Sequence, residues 1–150
     1  MCGRYTLIET DGLNTCFDAD NDLKDLCPNY NVAPGQIMPV VNHNSPNKLE
    51  LMKWGLVPFW AKDSQIGYKM INARAEGIQD KPSFRSALKT KRCLVPTTGF
   101  YEWKKENDIK QPYFIHLKNQ EMFSFAGLYE TWKDAEGNEL KTYTIITNGT

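Results

Sequence analysis

Short runs of apolar, β-branched and aromatic residues recur along the chain between turn-rich polar stretches, the pattern of a strand-dominated domain. Residues 5–8 form a first short strand. Residues 11–27 are polar with scattered Leu and Phe, a pattern that predicts one or two short helices. CPNYNVAPG, residues 27–35, reads as a Pro/Asn/Gly loop. Residues 37–41 and 49–54 read as two strands joined by the turn-rich HNSPN. WGLVPFWA, residues 54–61, is apolar and aromatic but broken by Gly55 and Pro58, as expected of a segment that lines a pocket. Ser83 is placed to cap a helix with Phe84, Ala87 and Leu88 on one face and Lys89, Lys91 and Arg92 near its end. Five further strands are expected at residues 93–95, 99–104, 113–117, 122–129 and 140–147, with KENDIKQ and KDAEGNE as turns. Together these elements predict an α+β fold: a single domain, residues 1–150, built on a strongly coiled, mostly antiparallel β-sheet or distorted barrel with a few short helices.

Composition narrows the function classes. At 150 residues the chain is long enough for one domain with a real core. No apolar run reaches membrane-spanning length, and MCGRYTLIETDG lacks the basic and apolar regions of a secretory signal. A cytoplasmic protein with no membrane partner is therefore expected. Eighteen basic and eighteen acidic residues cancel, so nucleic acid is not indicated by net charge. The aromatic share, 12%, does provide faces on which unpaired bases can stack. Cys2, Cys16, Cys27 and Cys93 form no CxxC pair, and His43 and His116 lie far apart, so no metal site and no cofactor are expected.

Candidate chemistry starts at Cys2. Initiator methionine is normally removed before a small residue, which would leave Cys2 with a free α-amine beside its thiol. Reference pKa values of about 7.7–8.0 and about 8.5 make both partly nucleophilic near neutral pH. Amine and aldehyde can condense to an imine, and the thiol can then close a thiazolidine. From position alone, an ordinary small residue at position 2 is the commoner reading. Gly3 permits close approach of another backbone, and Arg4 is either a phosphate-binding fork or a solvated charge.

In GFYEW, strand alternation puts Phe100 and Glu102 on one face and Tyr101 and Trp103 on the other. If Phe100 faces inward, Glu102 is buried with a raised pKa suited to proton transfer; otherwise it is an edge glutamate turned to water. In INARAE, Asn72 and Arg74 share a face if the segment is extended, the amide able to orient an amine and the arginine a phosphate. A loop whose asparagine caps a turn is the other possibility.

In order, MCGRY, YNVAPG, WGLVPFWA, INARAE, FR, CLVPTTGFYEW, QPYFIHL, FAGLYETW and TIIT resemble the SRAP family, the SOS response-associated peptidases or abasic-site-processing proteins. The resemblance implies a coiled mixed sheet and self-removal of Met1. It implies a covalent thiazolidine crosslink between Cys2 and abasic sites in single-stranded DNA, with Asn72 positioning the amine or sugar and Glu102 moving protons. It assigns Arg4 and Arg74 to DNA phosphates, and Pro34, Phe59 and Trp60 to an apolar wall and wedge against bases. The alternatives are a cysteine-type peptidase and a non-covalent single-stranded DNA-binding module that uses Trp54, Trp60, Arg4 and Arg74. The family pattern continues past this length, with a histidine in an HxRMP-like motif after the TIIT strand. Neither His43 nor His116 holds that place. An incomplete C-terminus is therefore expected, with uncovered strand edges that favour self-association.

Overall fold

The computed structural model describes residues 1–149. Along the chain run β1 (Tyr5–Leu7), α1 (Leu13–Cys16), β2 (Asn29–Val32), β3 (Ile37–Asn42) and β4 (Leu49–Trp54). A 3-10 helix, Ser64–Lys69, precedes β5 (Asn72–Arg74), and a 3-10 turn, Ile78–Asp80, precedes α2 (Arg85–Thr90). Then follow β6 (Arg92–Thr97), β7 (Gly99–Glu106), β8 (Ile109–Ile115), β9 (Phe123–Lys133) and β10 (Glu139–Thr147).

The strands form two layers. One is antiparallel, in the order β2-β1-β7-β8. The other runs β4-β3-β6-β9-β10 and closes on itself, because β10 also pairs in parallel with β4 through Thr142 opposite Lys53 and Tyr143 opposite Trp54. Gly55 then turns the chain away with φ +120°, a conformation that favours glycine. The same edge of β10 is taken up further along by β5, with Ile145 opposite Asn72 and Thr147 opposite Arg74. The result is a five-stranded mixed barrel with an antiparallel sheet packed beside it, in accord with the expected α+β class.

Inside the barrel and under the sheet lies one apolar cluster that includes Tyr5, Leu7, Val32, Met52, Trp54, Val95, Tyr143 and Ile145. Trp54 stacks on Tyr143 at 6.4 Å and 9°, and meets Tyr5 edge-on at 5.2 Å. The buried Tyr5 and Tyr143 hydroxyls share a 2.6 Å hydrogen bond, so the polar tip of each ring is satisfied by the other. A second cluster, Leu56, Ala73, Ile78, Phe84, Ala87 and Leu128, seats α2 on the barrel wall.

Several boundaries differ from the sequence expectation. The loop predicted at 27–35 contains β2, whose Val32 pairs with Tyr5; its Asn-rich composition hid a strand stabilised by its partner. The polar stretch 11–27 contributes only the four-residue α1. Helix α2 begins at Arg85, and its N-cap position is Phe84 with no side-chain cap, so Ser83 does not cap it. KENDIKQ is mostly strand: the turn shrinks to Asn107 and Asp108, both at positive φ, and β8 starts at Ile109. All seven residues of β8, the outer strand of its sheet, are exposed.

Candidate active site at the N-terminus

Three elements converge on residue 2. The Tyr101 amide of β7 donates to the Arg4 carbonyl at 3.0 Å, which ties the segment before β1 to β7. That tie carries the chain start past Glu102 on β7. From the other side, β5 presents Asn72, whose Nδ2 donates to the Cys2 carbonyl at 2.8 Å. The opposite atom of the same amide, Oδ1, is buried and has no hydrogen-bond partner among the described residues. Such an orphan acceptor is uncommon in a folded interior and costs free energy until a donor arrives.

Cys2 is 5% exposed, and its thiol lies 3.7 Å from the Arg4 carbonyl. Burial pushes the thiol from 9.0 up to about 12, and the neighbouring Glu102 carboxylate acts in the same direction. Met1 is 82% exposed, and its ammonium donates to Glu102 Oε1 at 3.2 Å. Glu102 shares a face with Phe100, as alternation requires. Its side chain keeps 37% exposure, so of the two alternatives the structure has a rim carboxylate, facing the terminal ammonium. The strand ends its buried stretch there: Trp103 and every later residue of β7 are exposed.

Arg4 donates to the Gly3 carbonyl at 2.8 Å and borders an open hollow of about 510 Å³, shared with Asn31, Tyr101, Trp103 and Pro112. Arg74 lies two residues beyond Asn72 on β5, exposed, with Nε 3.9 Å from Glu76. Pro34 is half-buried in the loop after β2, next to Gly35, which abuts the Tyr68 ring. Phe59 and Trp60 are 57% and 50% exposed on the loop after β4. Beyond the loop itself, residues 57–61 make hydrogen bonds and ring contacts to Lys91, Thr142 and Trp132. Cys2, Asn72 and Glu102 are therefore brought together, Arg4 and Arg74 lie two residues from Cys2 and Asn72 in sequence, and Phe59 and Trp60 make no hydrogen bond or ring contact with them among the described residues.

Two arrangements were not foreseen from the sequence. Met1 itself is the partner of Glu102. Glu130, with only 2% of its side chain exposed, is paired to Lys91. Glu130 sits between Tyr129 and Thr131, a carboxylate inside an aromatic strand, the same signal that drew attention to Glu102. His116 stacks on Phe114 at 5.2 Å and shares a 2.7 Å hydrogen bond with the Leu117 carbonyl. Neither it nor His43 is bonded to Cys2. Among the described residues no group of three or more His, Cys, Asp or Glu could hold a metal ion. Among the described residues no helix is long and apolar enough to cross a membrane.

A family model described as SOS response associated peptidase (SRAP) matches residues 1–150. The abasic site processing protein YoqW of Bacillus subtilis is 52% identical over 98% of this chain and 68% of its own length. The abasic site processing protein HMCES of Xenopus tropicalis is 33% identical over 85% of this chain and 48% of its own. A crystal structure of a Bacteroides thetaiotaomicron protein superposes with a TM-score of 0.90 at 32% identity, over 98% of this chain and 68% of that one. On these grounds the chain belongs to the SRAP family.

Proposed function

We propose that the protein processes abasic sites by forming a covalent bond between Cys2 and the ring-opened aldehyde of an abasic deoxyribose in single-stranded DNA. The observation that carries this reading is the convergence on one residue: Asn72 on the Cys2 carbonyl at 2.8 Å and Glu102 on the chain-terminal ammonium at 3.2 Å. Hydrolysis of the Met1–Cys2 peptide bond frees the Cys2 amine beside both groups. That amine adds to the aldehyde, and loss of water gives an imine. The thiol then adds across the C=N bond, its proton passing to nitrogen, and the five-membered thiazolidine closes. Glu102 holds the ammonium before processing and relays protons afterwards. The unpartnered Asn72 Oδ1 accepts from the freed amine or from a sugar hydroxyl.

Arg4 and Arg74 supply phosphate contacts on either side, and Pro34, Phe59 and Trp60 meet bases. A cysteine-type peptidase acting on other proteins is disfavoured, because neither histidine is bonded to the thiol. The four cysteines are free thiols, which fits a reducing, cytoplasmic setting. Self-association would run through the exposed β8, where Ile109, Phe114 and Ile115 are uncovered, and sedimentation at rising concentration tests it.

The deciding experiment mixes the processed protein with an oligonucleotide carrying one abasic site and resolves the products on a denaturing gel. A shifted band that disappears with Cys2→Ala is expected. No band, or one that survives Cys2→Ala, rejects the covalent reading. Equal affinity for intact and abasic strands, lost at high salt, would favour a non-covalent binder instead.

A further inference from the structure

We infer that Lys91 is a positioning residue for Phe59, held in place by the buried carboxylate of Glu130; the inference rests on the reading that this loop meets DNA. The loop between Val57 and Ala61 is pinned at both ends. The Val57 amide donates to Thr142 Oγ1 at 2.9 Å, and Trp132 Nε1 donates to the Ala61 carbonyl at 2.7 Å. Its apex, Phe59 and Trp60, is left in solvent. A phenyl ring at such an apex tends to fold back onto the nearest apolar surface. The ammonium of Lys91 lies 5.9 Å from the centre of the Phe59 ring, within cation–π range.

Lys91 is not a free surface lysine. Glu130 on β9 is buried, and its carboxylate is neutralised by Lys91 Nζ. A buried carboxylate strongly disfavours loss of its cation, so the lysine head has one location. The Lys91 backbone is fixed as well: its amide donates to Ala87 at 2.7 Å and its carbonyl accepts from Tyr129 at 2.9 Å. A fixed cation under one side of the ring leaves the other side for an unstacked base. Because Glu130 cancels the charge locally, Lys91 serves as a support for the ring and not as a phosphate contact.

The test measures binding of the full processed chain to a single-stranded oligonucleotide bearing tetrahydrofuran, an abasic analogue with no aldehyde, so that affinity is read apart from crosslinking. Lys91→Met combined with Glu130→Gln removes both charges and avoids stranding a buried carboxylate. The pair of substitutions is expected to weaken binding about two- to fivefold, the factor a partly exposed cation–π contact supplies. In a Phe59→Ala background the same pair should weaken it no further. Lys91→Arg should bind like the unmodified chain, and the dependence of affinity on salt should be unchanged throughout. Equal losses with and without Phe59, a salt slope reduced by about one, or no loss from Phe59→Ala would each overturn the inference. Absence of any binding by the unmodified chain would overturn it too. Crosslinking by Cys2 to a natural abasic strand is scored separately, so the covalent reading and this one fail independently.

Discussion

Retention or removal of Met1 should switch the reactivity of Cys2. With Met1 present the thiol is 5% exposed and is pushed from 9.0 up to about 12. At pH 8 a thiol at 9.0 is about one-tenth ionised, whereas one at about 12 is ionised to about one part in ten thousand. Thiolate supply alone therefore slows alkylation about a thousandfold, and steric closure adds to it. Cys16 and Cys27 are exposed thiols and serve as internal standards; Cys93, also buried and pushed up to about 12, is the slow control. The assay treats folded, Met1-bearing chain with iodoacetamide at pH 8 and follows each cysteine by peptide mass spectrometry. Cys16 and Cys27 should react first, with Cys2 and Cys93 slower by about three orders of magnitude. In the chain that starts at Cys2, residue 2 should join the fast group while Cys93 stays slow. Alkylation of Cys2 in Met1-bearing chain at a rate within about tenfold of Cys16 would show that the thiol is not sealed and would refute the switch.

Other outcomes follow from the same geometry. Glu102→Gln removes only a rim ion pair, worth less than about 1 kcal/mol, so the melting temperature should hardly change. Crosslink formation should slow about a hundredfold or more, and equal rates on a quenched-time gel would refute the proton-relay role. A Cβ at Gly67 would lie 2.6 Å from the Gly55 carbonyl oxygen and 3.2 Å from Val57 Cγ2. Gly67→Ala should therefore cost about 1–3 kcal/mol, visible by calorimetry as a melting point lower by about 3–10 °C. Alkaline conditions should destabilise the fold. Cys2 and Cys93 stay protonated in the folded chain up to about 12, whereas the unfolded chain releases those protons above 9.0. The unfolded state then binds fewer protons, so stability falls as pH rises from about 9, by up to about 1.4 kcal/mol per pH unit for each thiol. Urea midpoints at pH 8, 9 and 10 test this; Cys93→Ala should flatten the fall, and midpoints that do not move would contradict it.

The strands were legible where their apolar face is local and continuous. Residues 37–41 and 49–54 became β3 and β4 because each is a short run of mostly apolar residues with no competing turn, β3 buried at Met38 through Asn42 and β4 at Leu49, Met52 and Trp54. β2 was not legible, since Asn29 and Asn31 favour turns in isolation and only pairing with β1 makes them extended. The first half of β8 was hidden for a related reason. Ile109, Lys110 and Gln111 lie on an exposed edge and carry no burial pattern. The shared face of Asn72 and Arg74 was readable from spacing alone. The depth of Glu102 was not, because alternation assigns a face but not the distance along the strand at which the core ends.

What no local pattern contains is the parallel pairing that completes the site. Trp54 and Asn72 both lie along one edge of β10, the first opposite Tyr143 and the second opposite Ile145. The handover between them depends on Gly55, whose amide donates to the Tyr143 carbonyl at 2.8 Å and whose carbonyl packs on Gly67. A slip of one residue in the β5–β10 register would exchange Asn72 for a neighbour and turn its amide from the Cys2 carbonyl to the opposite face. Barrel closure and assembly of the N-terminal site are therefore one structural event. Substitutions at the glycine pair should disturb the Asn72–Cys2 hydrogen bond even though neither glycine touches the thiol.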